Sequence, residues 1–258
     1  MSRGIRFLAG LLTCLLGPAL AQAEERKPDV LYISGQLTSV ESADDGGGGG
    51  VEWLHPVSAT SSFNVGAYAF SFGGSRWAYG KAGGSFSYGD RTVVSGEINL
   101  GDGEGPSRDF TYQIYRAEIT YALIDKRFYL VAEEQYSHIS NSKDNIVKAG
   151  LIFYPVPSLA TRLNYHLSTG GNVDSRFVSG RVDFYAKRVT LLAGFLVGRT
   201  SPEQLKVITE APRSLSTEEV FAGFSIPLGR YEVTLVFDVA RQSSVRKYSA
   251  LLLWKIAF

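Results

Sequence analysis

The sequence has little of three features that each identify a class of protein: cysteine, charge of one sign and long apolar runs. Its 258 residues include a single Cys, so no disulfide within the chain can hold a small scaffold together. The formal net charge of +1 gives no electrostatic basis for binding a nucleic acid. Beyond the N-terminus, no stretch approaches the roughly 20 apolar residues of a membrane-spanning helix. These shortages exclude a disulfide scaffold, a nucleic-acid binder and a helical membrane protein.

The first 23 residues have the parts of a secretory signal peptide. Arg3 and Arg6 supply the positive start, residues 7–16 form a short apolar run, and Ala21-Gln22-Ala23 is a small-x-small cleavage site. Cleavage after Ala23 would also remove Cys14, which leaves an exported chain without thiols, as suits an oxidising compartment. We therefore predict a cleaved signal peptide at 1–23 and one exported domain at 24–258.

Hydrophobicity in this domain alternates with period two, and no segment holds the 3.6-residue period of a helix. In one segment Leu163 and Tyr165 are apolar, while Arg162, Asn164 and His166 between and beside them are polar. Fourteen candidate strands follow, or twelve if segment 51–58, which contains Pro56, is dropped and a neighbour merged. They are 29–39, 51–58, 62–72, 76–88, 91–100, 109–123, 127–139, 145–154, 159–168, 175–185, 189–199, 217–228, 231–241 and 247–258.

The connections between these segments alternate between short turns and longer polar links. The longer links are 41–50, 101–108, 140–144, 169–174, 200–216 and 242–246. Short inner turns and long outer loops are typical of membrane barrels, in which a closed sheet pairs every backbone group. The pattern predicts an all-β fold, a transmembrane antiparallel up-and-down β-barrel in contact with outer-membrane lipid. We expect the five glycines at 46–50 to form a flexible outer loop.

An apolar exterior places the charged residues of the strands inside the barrel. Six basic and seven acidic residues then share the interior, which predicts either a weakly selective pore or an interior filled by ion pairs. We expect His166 to be a polar interior residue. The predicted interior charges are Lys81, Glu97, Arg116, Glu118, Glu133, Lys148, Arg162, Arg181, Asp183, Glu219, Glu232, Asp238 and Lys255.

The final segment carries apolar or aromatic residues at every second position, including Tyr248, Trp254, Ile256 and Phe258. This resembles the C-terminal assembly signal of bacterial outer-membrane proteins, which the barrel-assembly machinery reads by strand addition. Trp53, Trp77 and Trp254 fit the aromatic girdles that flank the apolar band of such barrels. The segment therefore predicts the outer membrane as the location.

Several segments are similar to the YaiO-like family of outer-membrane barrels. They are 135–150, 163–171 leading into 179–183, 193–200, and the ending Trp254-Lys255 with Phe258 close behind. The family ends nearer Trp-Lys-Phe, whereas Ile256 and Ala257 intervene here. The resemblance implies a barrel and a part in a surface-polysaccharide export system.

One motif suggests enzymatic chemistry. The sequence His138-Ile139-Ser140-Asn141 resembles the His-x-Ser-Asn of outer-membrane phospholipases and lipid A deacylases. A Ser–His pair also needs a group that orients the imidazole. Only Asn145 is near enough, and its spacing does not match, so a polar strand end is the favoured interpretation. Three His without a retained Cys predict no metal site, and no motif predicts a cofactor.

Three functions remain open from the sequence. The favoured hypothesis is a non-enzymatic pore or export barrel for small solutes or surface polysaccharide. A lipid hydrolase that uses His138 and Ser140 is the second, and a structural or adhesin-like barrel that acts through its outer loops is the third.

Deletion of Phe258 tests the assembly signal. We expect export to continue and insertion into the outer membrane to fall sharply, because the terminal aromatic residue of the signal is lost. Fractionation and heat-modifiable gel mobility measure this. Insertion at the wild-type level would contradict the role assigned to Phe258.

Overall fold

A computed structural model describes residues 27–41, 45–106, 108–124, 127–171, 174–200, 215–243 and 245–258. The predicted signal peptide at 1–23 lies outside these residues. None of the described residues belongs to a helix long and apolar enough to span a membrane. The described residues form fourteen strands: β1 Val30–Val40, β2 Gly46–Pro56, β3 Ser61–Phe72, β4 Ser75–Tyr88, β5 Thr92–Glu104, β6 Asp109–Ile124, β7 Phe128–Ile139, β8 Ser142–Val156, β9 Leu159–Gly171, β10 Arg176–Tyr185, β11 Thr190–Thr200, β12 Leu215–Leu228, β13 Tyr231–Gln242 and β14 Val245–Ala257.

The sheet closes on itself. Each strand pairs antiparallel with its neighbours in sequence, and β1 pairs with β14 from Val30 opposite Ala257 to Val40 opposite Lys247. The predicted up-and-down barrel with fourteen strands is therefore confirmed, and the alternative with twelve strands is wrong. We call the end that carries connection 201–214 the outer end, because outer loops are the longer ones in such barrels. The first residue of β1 and the last of β14 lie at the opposite, inner end.

The glycine run is a strand, so its predicted flexible loop is wrong. Residues 46–50 begin β2 and pair with both β1 and β3. On the interior face, the rings of Tyr68 and Phe70 lie where a Cβ on Gly50 and Gly48 would be. Glycine has low strand propensity, but cross-strand aromatic rings that cover it can compensate. Pro56, which made this strand doubtful, is its last residue, so few ladder bonds are affected.

Most of the long outer links predicted from the sequence are also wrong, because the strands continue through them. Strand β5 runs on to Glu104, β8 already begins at Ser142, and β9 continues to Gly171. The residues of these extensions are polar or Gly on both faces, so the period-two signal ends before the hydrogen-bonded ladder does. Link 200–216 is shorter than predicted, since β11 includes Thr200 and β12 begins at Leu215.

The two faces of the sheet differ in chemistry and exposure. On β9, Leu163 and Tyr165 point outward and are 51% and 49% exposed, whereas Asn164 between them is 8% exposed. The same alternation recurs on β11 and β13, where Phe195 and Phe237 are exposed. The exterior is therefore an apolar surface suited to lipid, and the polar side chains crowd the concave interior.

The tryptophans do not all lie where the sequence predicted. Trp53 and Trp254 lie on the exterior face near the inner end, and Trp53 Nε1 donates a hydrogen bond to Asp29 Oδ2 at 3.0 Å. Trp77 is buried on the interior face, where its ring stacks on Phe70. The prediction that Trp77 belongs to a girdle is therefore wrong, because the exterior positions beside it on β4 are taken by small or polar residues.

Two adjacent leucines on β14 test the two faces. Leu252 points outward and Leu251 points inward, and they are 48% and 36% exposed. Leu252→Arg should lower the free energy of unfolding by about 2–4 kcal/mol, because it places a charge in hydrocarbon. Leu251→Arg should cost clearly less, since its charge reaches a polar interior. Reversible unfolding in lipid vesicles measures both, and a larger loss for Leu251→Arg would invert the assignment of faces.

Candidate functional site

The central feature of the interior is a chain of ion pairs that runs from β2 to β8, with members on six of these seven strands. We call it the interior charge network; it consists of Glu52, Lys81, Glu97, Arg116, Glu118, Glu133 and Lys148. Lys81 Nζ lies 3.0 Å from Glu52 Oε2 and 2.9 Å from Glu97 Oε2. Arg116 joins the next two acids, with Nη1 3.9 Å from Glu97 Oε1 and Nε 3.6 Å from Glu133 Oε1. Acidic and basic side chains thus alternate along one wall.

Strand register explains this alternation. Glu97 lies opposite Arg116, and Glu133 lies between Glu118 and Lys148 in the two neighbouring strands. Two carboxylates directly opposite each other, Glu118 and Glu133, would repel. Lys148 lies between them, with Nζ 2.8 Å from Glu118 Oε2 and in contact with Glu133. The side chains of Lys148 and Glu133 are each 11% exposed. Charges buried to this extent are tolerated because each is paired with an opposite charge.

Glu52 joins this network although no charge on β2 was predicted to lie inside. Its two carboxylate oxygens accept hydrogen bonds from Asn64 Nδ2 at 2.8 Å and from the Tyr68 hydroxyl at 2.6 Å. Val51 and Trp53 on either side face outward, so alternation alone would have placed Glu52 inside. Pro56 weakened the strand prediction for segment 51–58, so Glu52 was not among the predicted interior charges.

The wall from β9 to β11 carries Arg162, His166, Arg181 and Asp183, and the predicted charges Glu219, Glu232, Asp238 and Lys255 lie on the same interior face of β12 to β14. Arg162 lies opposite Arg181, and Arg181 Nε donates to Asp183 Oδ1 at 2.8 Å. His166 stacks on Phe177 with ring centroids 4.0 Å apart, and a hydrogen bond of 3.2 Å joins its Nε2 to the Ser179 hydroxyl. These contacts make His166 a satisfied polar residue of the interior.

A second interior feature was not predicted. Five aromatic side chains stack across β3, β4 and β6, and we call them the aromatic wall: Tyr68, Phe70, Trp77, Tyr79 and Tyr112. Ring centroids are 5.0 Å apart for Tyr68 and Tyr79, and 4.6 Å for Tyr79 and Tyr112. Trp77 and Tyr112 are buried in one cluster with Phe72, Phe110, Ile114 and Ile139, while Tyr68, Phe70 and Tyr79 remain partly exposed. The wall meets the interior charge network at the Tyr68–Glu52 hydrogen bond.

The hydrolase motif is not assembled in the structure. His138 faces outward at the end of β7, and Ser140 begins the two-residue turn to β8 with a φ of 55°. Among the described residues no hydrogen bond joins His138 to Ser140. Asn145, the nearest orienting group, donates instead to Glu134 Oε1 at 3.3 Å and Thr169 Oγ1 at 3.0 Å. The geometry therefore favours a polar strand end and a turn.

His138 and Ser140 do contribute to a groove at the outer end of β2 to β7. The groove has a volume of about 1170 Å³. Its charged lining comes from Arg76, Asp102, Glu104, Arg108 and Asp109. Within the described residues, no group of three or more His, Cys, Asp or Glu side chains could hold a metal ion.

The predicted assembly residues share the exterior face of β14. Tyr248 and Trp254 are 42% and 41% exposed, and Ile256 follows on the same face. The backbone N–H of Phe258 donates to the carbonyl of Asp29 at 2.9 Å, which continues the β1–β14 ladder to the last residue.

The chain matches no family model and no curated protein, but several solved structures share its fold. The CymD monoaromatic hydrocarbon channel superposes with a TM-score of 0.67 over 94% of this chain and 91% of that one, at 11% identity. The Pseudomonas putida toluene transporter TodX covers 97% and 93%, with a TM-score of 0.59 at 11% identity. The Ralstonia pickettii toluene transporter TbuX covers 93% and 91%, with a TM-score of 0.58 at 11% identity. Together with the apolar exterior, this fold makes the chain a bacterial outer-membrane β-barrel.

Lys148→Met tests the interior charge network. Removal of the cation leaves Glu118 and Glu133 facing each other, so we expect unfolding to be easier by about 3 kcal/mol. The triple variant that adds Glu118→Gln and Glu133→Gln should recover most of this loss. Arg181→Gln, at a more exposed pair, should cost about 1 kcal/mol or less. Equal losses for Lys148→Met and Arg181→Gln in vesicle unfolding would contradict a coupled network.

Proposed function

We propose that the protein is a non-enzymatic pore through the outer membrane, with a ring-bearing small solute as its cargo. The observation that carries the proposal is the aromatic wall, which presents Tyr68, Phe70 and Tyr79 to the interior of a closed barrel. A lipid-facing position would suit such rings better if their task were only to anchor the barrel. Inside, stacked rings offer a surface for another flat ring.

The charges of the interior support weak ion selectivity. The interior charge network has four acidic and three basic members, and each contacts at least one member of opposite charge. Rings of one charge select ions, whereas neutralised pairs create a small field along the pore. We therefore infer passage of uncharged or weakly charged solutes rather than selection of an anion or a cation.

The identity of the ring is a further part of the proposal. The similar structures are described as monoaromatic hydrocarbon channels and toluene transporters, which supports an apolar aromatic solute here. Aromatic side chains also stack on sugar rings. Surface-polysaccharide export, the role implied by the YaiO-like resemblance, therefore remains a second candidate cargo. The proposal of no enzymatic activity rests on two features of the described residues: no hydrogen bond joins His138 to Ser140, and Asn145 donates to Glu134 and Thr169 instead.

Conductance of the purified protein in planar bilayers tests the pore. We expect discrete conductance steps, with a reversal potential near zero in a salt gradient because the members of the interior charge network are paired. Absence of conductance would contradict the pore. Phospholipid ester hydrolysis that is lost in Ser140→Ala would favour the hydrolase instead.

Block of this current by an added probe distinguishes the two candidate classes of solute, aromatic and saccharide. Benzyl alcohol serves as the aromatic probe and maltohexaose as the saccharide probe. Tyr79→Ala should weaken block by the preferred probe about threefold or more, because a stacking partner is lost. Tyr165→Ala is the matched control, since Tyr165 faces lipid and is 49% exposed. Equal effects of the two substitutions on block would show that the solute does not contact the aromatic wall.

A further inference from the structure

Four arginines lie on the exterior face at the outer end of β10 to β14. They are Arg176 on β10, Arg199 on β11, Arg241 on β13 and Arg246 on β14, and we call them the arginine rim. Each shares a face with lipid-facing residues of its own strand, such as Val197 below Arg199 and Tyr248 below Arg246. They are therefore outside the pore and do not belong to the interior charge network.

The rim consists of two pairs of like charges in direct register. Arg176 lies opposite Arg199, and Arg241 lies opposite Arg246. Like charges directly opposite each other in an antiparallel pair are destabilising. An anion between the two guanidinium groups removes the repulsion and gains charge-assisted hydrogen bonds. The register alone thus favours an anion at each pair.

At the first pair, the chain supplies this anion itself. Arg176 Nε donates to Asp174 Oδ1 at 3.1 Å, and Arg199 Nη1 lies 3.4 Å from Asp174 Oδ2. One carboxylate thus lies between two guanidinium groups. This arrangement shows directly that a rim pair converges on a single anionic group.

At the second pair, no carboxylate of the described residues lies between the two guanidinium groups. Arg241 Nε donates to the carbonyl of Ser243 at 3.3 Å, and Arg246 Nη1 forms a long ion pair with Glu41 Oε1 at 3.9 Å, so Glu41 contacts one arginine of the pair and does not bridge the two. The Arg246 side chain is 62% exposed. Glu218 lies opposite Arg241 in the register, and in the described part of the chain the two form no ion pair. The second pair thus retains donors for an external anion.

The position of this pair along the strands indicates where the anion comes from. Val239 and Tyr248 lie opposite each other two residues closer to the inner end, point outward and are both 42% exposed. A strand rises about 3.4 Å per residue, so the arginines lie roughly 7 Å beyond this apolar and aromatic pair. Tyrosines at that position mark the boundary of the hydrocarbon. The guanidinium groups therefore lie at the level of the outer-leaflet headgroups.

We propose that Arg241 and Arg246 bind a phosphate group on a lipid headgroup of the outer leaflet. The planar guanidinium groups match the geometry of phosphate oxygens and remain charged at any physiological pH. The site depends on the membrane position of the barrel and not on its proposed pore function. A negative result for this phosphate site would therefore not bear on the proposed pore function.

The opposite sector of the rim explains why such lipid would bind on one side of the barrel. The exterior positions of β5 and β6 at the outer end include Asp102, Glu104 and Asp109. These carboxylates repel phosphate and line the groove of β2 to β7. Arg76 and Arg108 lie among these carboxylates, whereas the arginines of β10 to β14 face one another in pairs; we call the two parts of the outer rim the acidic sector and the arginine sector.

Binding of bisphosphorylated lipid A to the purified barrel, followed by native mass spectrometry in nonionic detergent, tests the site. The R241Q/R246Q double variant should bind about tenfold more weakly than the wild type. R76Q/R108Q removes two charges from the acidic sector of the rim and should leave affinity nearly unchanged. R241K/R246K keeps the positive charges but loses the planar guanidinium groups. Its affinity for the lipid should lie between those of the wild type and R241Q/R246Q.

Two further probes separate the possible sources of phosphate. Dephosphorylated lipid A should bind wild type no better than it binds R241Q/R246Q. Inorganic phosphate should displace the lipid only at much higher concentration than the lipid itself. Equal binding of the phosphorylated and dephosphorylated lipids, or binding by R241Q/R246Q at the wild-type level, would overturn the site. Displacement by inorganic phosphate at concentrations similar to those of the lipid would overturn its assignment to a lipid.

Discussion

Backbone hydrogen bonding in a medium without water is the constraint on which the rest of this structure depends. An open sheet would leave two edges of unpaired N–H and C=O groups in hydrocarbon, at several kcal/mol for each group. The ladder between β1 and β14 removes both edges along eleven residue pairs. Closure then creates a convex exterior and a concave interior. The exterior must be apolar, and the interior must accommodate every side chain that lipid would reject.

The interior meets this demand in two different ways. Toward the middle of the wall, Lys81, Arg116 and Lys148 each bridge two acids, so the crowded charges neutralise one another. At the outer end, aromatic side chains pack on one another and over the bare backbone of β2. One wall therefore combines a section of paired charges with a section of packed aromatic side chains. A solute that passes along it would meet both.

Much of this fold could be predicted, because lipid on one side and polar contacts on the other impose period two on nearly every strand. The prediction failed where one of those conditions is missing. Residues 101–104 and 142–144 lie beyond the apolar band, so neither face needs to be apolar. Residues 46–50 have no side chains to alternate. The aromatic wall was missed because its rings face inward while Ala67, Ala69 and Ala78 face outward, although Trp77 shares its face with Lys81.

The short connections at the outer end have a consequence for recognition from outside the cell. Because β3 and β4 are joined by two residues, and β7 and β8 by two, the exposed surface there consists of paired strands. An antibody or phage protein that binds this surface loses little entropy in ordering it. The epitope it contacts is held in shape by the hydrogen bonds between neighbouring strands. Peptides copied from single segments would therefore be poor substitutes for the folded barrel as immunogens.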